Sequence, residues 1–246
     1  MKKIFLFCCL LLTFGVTKEL SIKSEDGFIL KAWLKYPKVK RIKYPLAIIV
    51  HQFDSNHTKW LMFAKKLRNR GFATLNLDLR GHGESIYQNG KLNTVIHFKS
   101  IDNLKDIIAK SSNKVKFKNI SQDISLWINT VGSNYKNINI DNLAFFGASL
   151  GAAGLIGVMF EYNPKIAIFF SPGNAKEVGG EDSISEVAIP IMFIGSSGDF
   201  ALNKMIKYTK EANMPTTLIL PGSGHGETLL KNSNNYVKVF LNQYLK

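Results

Sequence analysis

A chain of 246 residues, 46% of them hydrophobic, can bury one full α/β core and is too short for two domains of typical size. The formal net charge is +14, yet the excess is mostly lysine and carries no recognisable nucleic-acid-binding motif, which argues against a nucleic-acid partner. Both cysteines, Cys8 and Cys9, fall in the N-terminal segment, so the rest of the chain can hold no disulfide framework.

Met1-Lys2-Lys3 forms a charged start, and Ile4 to Val16 is an apolar run of 13 residues ending before Lys18-Glu19. That length fits the apolar region of a signal peptide and falls short of the roughly 20 residues that span a bilayer. Gly15 and Thr17 are small enough to precede a cleavage site. Residues 1–17 are therefore expected to direct export to the periplasm, the envelope or the medium, and residues 18–246 to form a single domain. An uncleaved anchor, or lipidation at Cys8 or Cys9, is the alternative.

Ile22 to Pro37, turning at Asp26-Gly27, reads as an antiparallel hairpin at a sheet edge. Apolar runs follow at Pro45–Val50, Ala73–Leu77, Leu143–Phe146, Ile166–Phe170, Ile189–Ile194 and Thr216–Leu220. They are continuous rather than alternating, as strands covered on both faces require. Helical patterns lie between and after them at Trp60–Arg70, Ile120–Val131, Leu150–Tyr162, Asn203–Ala212 and Glu227–Leu245. This alternation predicts a mostly parallel central sheet with helices on both faces. No internal repeat or low-complexity linker interrupts it.

The segment Phe145-Phe146-Gly147-Ala148-Ser149-Leu150-Gly151 carries the chemistry. A strand that turns sharply into a helix holds a serine in a strained elbow, with its Oγ clear of the backbone. Larger side chains at Gly147 and Gly151 would collide with the crossing strand and helix. A serine hydroxyl needs a histidine base and a carboxylate to orient that base. His225 is the one histidine C-terminal to Ser149, and it follows the apolar run Leu218 to Leu220. Asp199 follows the run Ile191 to Ile194, whereas the competing acids Glu181, Asp182 and Glu186 follow no strand. Ser149, Asp199 and His225 would then all sit past the C-terminal ends of parallel strands, the edge where open α/β sheets bind ligands.

Four blocks in this order resemble the α/β-hydrolase superfamily, in particular its small single-domain esterases and lipases. They are Leu46 to Phe53 with His51-Gln52-Phe53, Asp78-Leu79-Arg80-Gly81-His82-Gly83-Glu84-Ser85, the elbow, and the Gly195 to Asp199 and Gly224-His225 segments. The resemblance spans roughly Leu20 to Lys246. It implies the α/β-hydrolase fold and an oxyanion hole built from backbone N–H groups. One donor would be Leu150, after the nucleophile; the other would be Phe53 in the loop after the third strand, with Gln52 second. It also implies structural roles for His51 and His82, bracing loops beside the pocket. Gln52 departs from the pattern, standing where the family most often has glycine. His57 and His97 are expected to be solvated. No His/Cys/Asp cluster has metal-ligand spacing, and no metal or other cofactor is implied.

The stretch Ile86 to Ile120 holds Lys91, Lys99, Lys105, Lys110, Lys114, Lys116 and Lys118 against Asp102 and Asp106, a local net of +5. Ile101, Leu104 and Ile108 recur there at helical spacing. By resemblance this stretch lies near the pocket mouth. It reads first as a solvated lysine face, and second as a surface for peripheral contact with anionic membrane. Between Pro172 and Ala188, where many relatives carry a cap domain, there is room only for a loop and a helical turn. These features predict a serine hydrolase acting on small-molecule or lipid carboxylic esters through an acyl-enzyme. A thioesterase or dienelactone-hydrolase-like activity would use the same residues. A non-catalytic ligand-binding protein on the same scaffold is the reading from another class.

Overall fold

In the computed structural model, which describes residues 17–97 and 103–245, the expected hairpin and six apolar runs join two short unexpected strands in one sheet of ten strands. The expected signal segment up to Val16, together with Lys99, Ile101 and Asp102, lies outside the described residues. The strands are β1 (Lys18–Lys23), β2 (Phe28–Lys35), β3 (Tyr44–Val50), β4 (Ala73–Asp78), β5 (Tyr87–Gln88), β6 (Lys91–Leu92), β7 (Ile138–Ala148), β8 (Ile166–Phe170), β9 (Pro190–Ser196) and β10 (Met214–Leu220). Their order is β10-β9-β8-β7-β3-β4-β2-β5-β6, with β1 paired to β2 off this path. The six strands from β10 to β4 pair in parallel, and the hairpin β1–β2 joins antiparallel through β2 and β4. This is the α/β-hydrolase fold, and the described residues show no cap domain.

The continuous apolar runs are explained by burial on both faces. Along β3, Leu46, Ile48 and Val50 enter one core with Phe145, Phe169 and Phe193. Ala47 and Ile49 enter the other with Phe146, Ile168 and Phe170. Helices α2 (Leu104–Val115), α3 (Ile120–Asn134), α4 (Ser149–Ile156) and α6 (Leu202–Glu211) cover the first face; α1 (Leu61–Arg68) and α7 (Asn234–Tyr244) cover the second. The edge strand β10 is largely exposed and alternates instead.

Two expected helices are broken. The pattern Leu150–Tyr162 divides into α4 and a short α5 (Met159–Tyr162), because Gly157 ends α4. The pattern Glu227–Leu245 becomes a 3-10 turn at Gly226–Leu229, a second turn, and then α7. Asn232 and Ser233, polar residues that favour turns and caps, end the first part and let α7 start afresh at Asn234. The short segment after β8 holds two single 3-10 turns, Ala175–Val178 and Ile184–Glu186.

Arg80, in the loop after β4, ties the hairpin to α3. Its side chain is buried, and Nε and Nη2 donate to Asp123 at 2.6 and 2.7 Å. Nη1 and Nη2 also donate to Asp26 in the β1–β2 turn, at 2.8 and 3.3 Å. Burial pulls the guanidinium pKa down, but the hydrogen bonds to Asp123 and Asp26 more than offset it, so it is raised. Arg80→Met would leave two carboxylates facing each other with no cation between them. It should lower the unfolding free energy by about 3–5 kcal/mol in urea titrations. A loss below about 1 kcal/mol would show that the knot does not hold the hairpin to α3.

Candidate active site

Ser149 is the first residue of α4, directly after β7, and its φ of 45° lies in the left-handed region. Such strain in a residue bearing a Cβ persists only where the surroundings dictate it. They do so through two glycines. A Cβ on Gly151 would lie 2.4 Å from the His51 carbonyl oxygen and 2.6 Å from that of Val50, at the end of β3. One on Gly147 would lie 2.9 Å from the Ala152 backbone. Only small residues let the start of α4 press onto β3, and that contact sets Ser149 beside the loop after β3. Leu150 falls in the first turn of α4, where N–H groups have no partner within the helix.

Asp199 and His225 meet as their positions after β9 and β10 require. His225 Nδ1 and Asp199 Oδ1 are 2.8 Å apart, with the carboxylate fully buried and the imidazole side chain 21% exposed. The ring nitrogen facing a carboxylate carries the proton, which leaves Nε2 as the basic atom. Asp199 Oδ1 also accepts the Ala201 N–H at 2.9 Å, and Oδ2 accepts the Ser171 hydroxyl. Burial alone would raise this carboxyl's pKa. The hydrogen bonds from His225, Ser171 and Ala201 outweigh burial and hold it below its ordinary value, so Asp199 is ionised at neutral pH. The competing Asp182 instead lies 3.8 Å from both Lys204 and Lys207.

The His225 ring stacks on Phe200, with centroids 4.3 Å apart and planes 21° from parallel. Phe200 lines the same cavity of about 590 Å³ as Ser149, Leu150 and Phe53, so the imidazole packs on a residue of the cavity that holds the elbow serine. Ile108, Phe117, Ala153 and Val178 make most of its other walls apolar, and Lys105 and Ala109 place α2 along it. No hydrogen bond joins the Ser149 hydroxyl to the imidazole among the described residues. Such contacts commonly tighten only when substrate is bound.

Ser171 escaped the sequence reading. It directly follows β8, is buried, has a φ of 47°, and its Oγ accepts the Gly226 N–H at 2.9 Å while donating to Asp199. One hydroxyl thus joins the acid to the residue after the base. No motif marks it; its position after a buried strand, like those of Ser149 and Asp199, was the available signal. Of the expected loop donors, the Gln52 N–H points to Glu227 Oε1 at 3.2 Å rather than into the cavity.

His51 and His82 brace loops. His51 Nε2 accepts the Leu79 N–H at 3.0 Å, so its proton sits on Nδ1, which faces the Gln52 carbonyl at 2.6 Å. His82 Nδ1 faces the Arg80 carbonyl at 3.0 Å, while its buried Nε2 has no hydrogen-bond partner among the described residues. Burial, and next the neighbouring His51, push the His82 imidazole down to about 3. His57 is not solvated as expected. Its ring stacks on Trp33 at 3.3 Å, and its N–H and Nδ1 reach Asp78 Oδ1 at 2.7 and 3.0 Å. Four polar residues around His57 hid this partner, which lies 21 positions away. His97 is exposed and contacts Asp54. Among the described residues, no group of three or more His, Cys, Asp or Glu side chains could hold a metal ion.

Residues 45–192 match the family model described as serine aminopeptidase, S33. No curated protein matches the sequence. Among solved structures, Est1E from Butyrivibrio proteoclasticus superposes with a TM-score of 0.65 at 17% identity, covering 92% of this chain and 98% of its own. A thermostable carboxyl esterase from Bacillus coagulans, in complex with glycerol, gives 0.64 at 15% identity over 94% and 99%. A serine hydrolase without lid from Xanthomonas campestris gives 0.62 at 15% identity over 93% and 94%. At these identities the likeness concerns the fold.

The depressed His82 pKa has a stability consequence with a definite sign. Between the ordinary histidine value of 6.5 and about 3, the unfolded chain binds a proton that the folded chain refuses. His82 therefore costs nothing above that window and destabilises the fold as pH falls through it, by about 1.4 kcal/mol per pH unit. His82→Asn removes the titration and keeps a donor for the Arg80 carbonyl. The slope of unfolding free energy against pH between about 6 and 4 should shrink by close to one proton. An unchanged slope would mean that His82 is protonated in the folded state.

Proposed function

Because this chain belongs to the serine aminopeptidase S33 family of α/β hydrolases, its chemistry is that of a serine hydrolase, and we propose that it cleaves small-molecule carboxylic esters through an acyl-enzyme on Ser149. The observation that carries this reading is the 2.8 Å His225–Asp199 pair, with its imidazole stacked on Phe200, which lines the same apolar cavity as the elbow serine. The carboxyl esterase among the structures of similar fold, and the Est1E structure with ferulic acid bound, support an ester substrate with an apolar acyl part.

In the proposed cycle Ser149 Oγ attacks the ester carbonyl while His225 Nε2 takes its proton. Asp199 holds the imidazole through Nδ1 and stabilises its charge. The N–H groups of Leu150 and Phe53 receive the oxyanion, Leu150 with the added field of the α4 N-terminus. Collapse of the tetrahedral intermediate breaks the C–O bond, and the imidazolium protonates the departing alkoxide. Water, deprotonated by His225, then attacks the acyl-enzyme; collapse returns the proton to Ser149 and releases the acid. An amide substrate would need the same atoms but a poorer leaving group.

Ser149→Ala should abolish both hydrolysis of p-nitrophenyl esters and labelling by a fluorophosphonate, without loss of fold. Asp199→Asn should lower kcat by roughly 10⁴-fold, because it favours the wrong imidazole tautomer. A panel of esters of increasing acyl length, run beside aminoacyl p-nitroanilides, separates the substrate classes. Turnover of the anilides alone would overturn the ester reading. Activity in Ser149→Ala within about tenfold of wild type would remove Ser149 from the mechanism.

A further inference from the structure

Gln52 replaces a residue that the resemblance expects to be glycine, and its side chain has a specific partner. Gln52 Oε1 accepts the Glu227 N–H at 2.9 Å, and the Gln52 N–H returns a hydrogen bond to Glu227 Oε1 at 3.2 Å. The same carboxylate accepts the Trp60 indole N–H at 2.6 Å, and its other oxygen accepts the Ser55 hydroxyl at 2.6 Å. Four hydrogen bonds therefore join the segment after β3 to the residue two places after His225. Space for this latch comes from Gly226, whose φ is 54° and on which a Cβ would lie 2.1 Å from Gln52 Oε1.

We propose that Glu227 and Gln52 form a latch that fixes the oxyanion loop against the histidine loop, with Glu227 as the positioning residue. The inference rests on the serine-hydrolase reading for its effect on turnover. It assigns the carboxylate no contact with substrate. Three donors from one loop converge on Glu227, and all three are held by a residue whose neighbours carry the base. A shift of either loop would move the Phe53 N–H relative to the His225 imidazole. Displacements of about 1 Å between catalytic groups can cost on the order of 100-fold in rate. The glutamine at position 52 thus exchanges the turning freedom of glycine for a fixed distance between loops.

The test compares Glu227→Ala, Glu227→Gln, Gln52→Ala and the Gln52→Ala/Glu227→Ala pair, using p-nitrophenyl butyrate turnover and amide hydrogen exchange. Glu227→Ala and Gln52→Ala should each lower kcat by about 10- to 100-fold with KM within about threefold, since the cavity walls are untouched. Glu227→Gln keeps acceptors for Gln52 and Trp60 and should stay within about fivefold of wild type. Each side chain bonds the other residue's backbone, so the double variant removes both sets of hydrogen bonds and should lose at least as much as the less active single one. Exchange at the Trp60 indole N–H and the backbone of 52–55 should rise in Glu227→Ala. Unchanged kcat in both alanine variants would overturn the latch, and so would unchanged exchange. If wild type turned over no ester at all, the functional reading would fall, while the exchange comparison would still decide whether the latch exists. Should Glu227→Ala not fold, Gln52→Ala carries the same comparison.

Discussion

The close approach of the start of α4 to the end of β3 is the constraint on which the rest of the site depends. With the would-be Gly151 Cβ only 2.4 Å from the His51 carbonyl oxygen, helix and strand touch backbone to backbone. That contact forces Ser149 into a left-handed conformation and places its hydroxyl above the sheet edge. It also puts the α4 N-terminus beside the loop carrying Gln52 and Phe53. The elbow serine, a helix N-terminus and the loop after β3 are thereby gathered at one point before any side-chain chemistry is considered.

The other half of the site is organised from the opposite direction, by hydrogen bonds rather than by steric contact. Asp199 is buried, which alone would favour its neutral form, and three donors keep it ionised. One of them, Ser171, also takes the Gly226 N–H, and Ser196 Oγ donates to the Gly224 carbonyl, so the loop bearing His225 is anchored on both sides of it. His225 Nδ1 has its carboxylate, and Thr228 Oγ1 accepts the His225 backbone N–H at 2.9 Å. The two halves meet at the cavity wall through Phe200 and at the loops through Glu227.

Much of this was legible in the sequence, for reasons that differ by residue. The six parallel strands announced themselves because burial on both faces demands unbroken apolar runs such as Ile166 to Phe170. The elbow was legible because its glycines answer a local steric demand. Asp199 and His225 were found by their places after strands, and their 2.8 Å contact needs no further signal. What stayed hidden depends on contacts distant in sequence. Ser171 lies 28 residues from Asp199, and Gln52 lies 175 from Glu227, so neither pairing leaves a local pattern. The departure at Gln52 was visible, but its reason required knowing which loop it faces. The breaks at Gly157 and at Asn232-Ser233 were written in residue types that the apolar periodicity overrode. His57 was misread because a polar neighbourhood in sequence concealed the Trp33 ring and the Asp78 carboxylate.

Covalent chemistry at Ser149 is the central claim, and trapping the intermediate tests it most directly. Protein quenched in acid during steady-state turnover of p-nitrophenyl acetate can be digested and its peptides weighed. The account predicts one added acetyl group on the peptide carrying Ser149, formed in wild type and missing in Ser149→Ala. Turnover with no acylated peptide, or with the acetyl group on another residue, would contradict it.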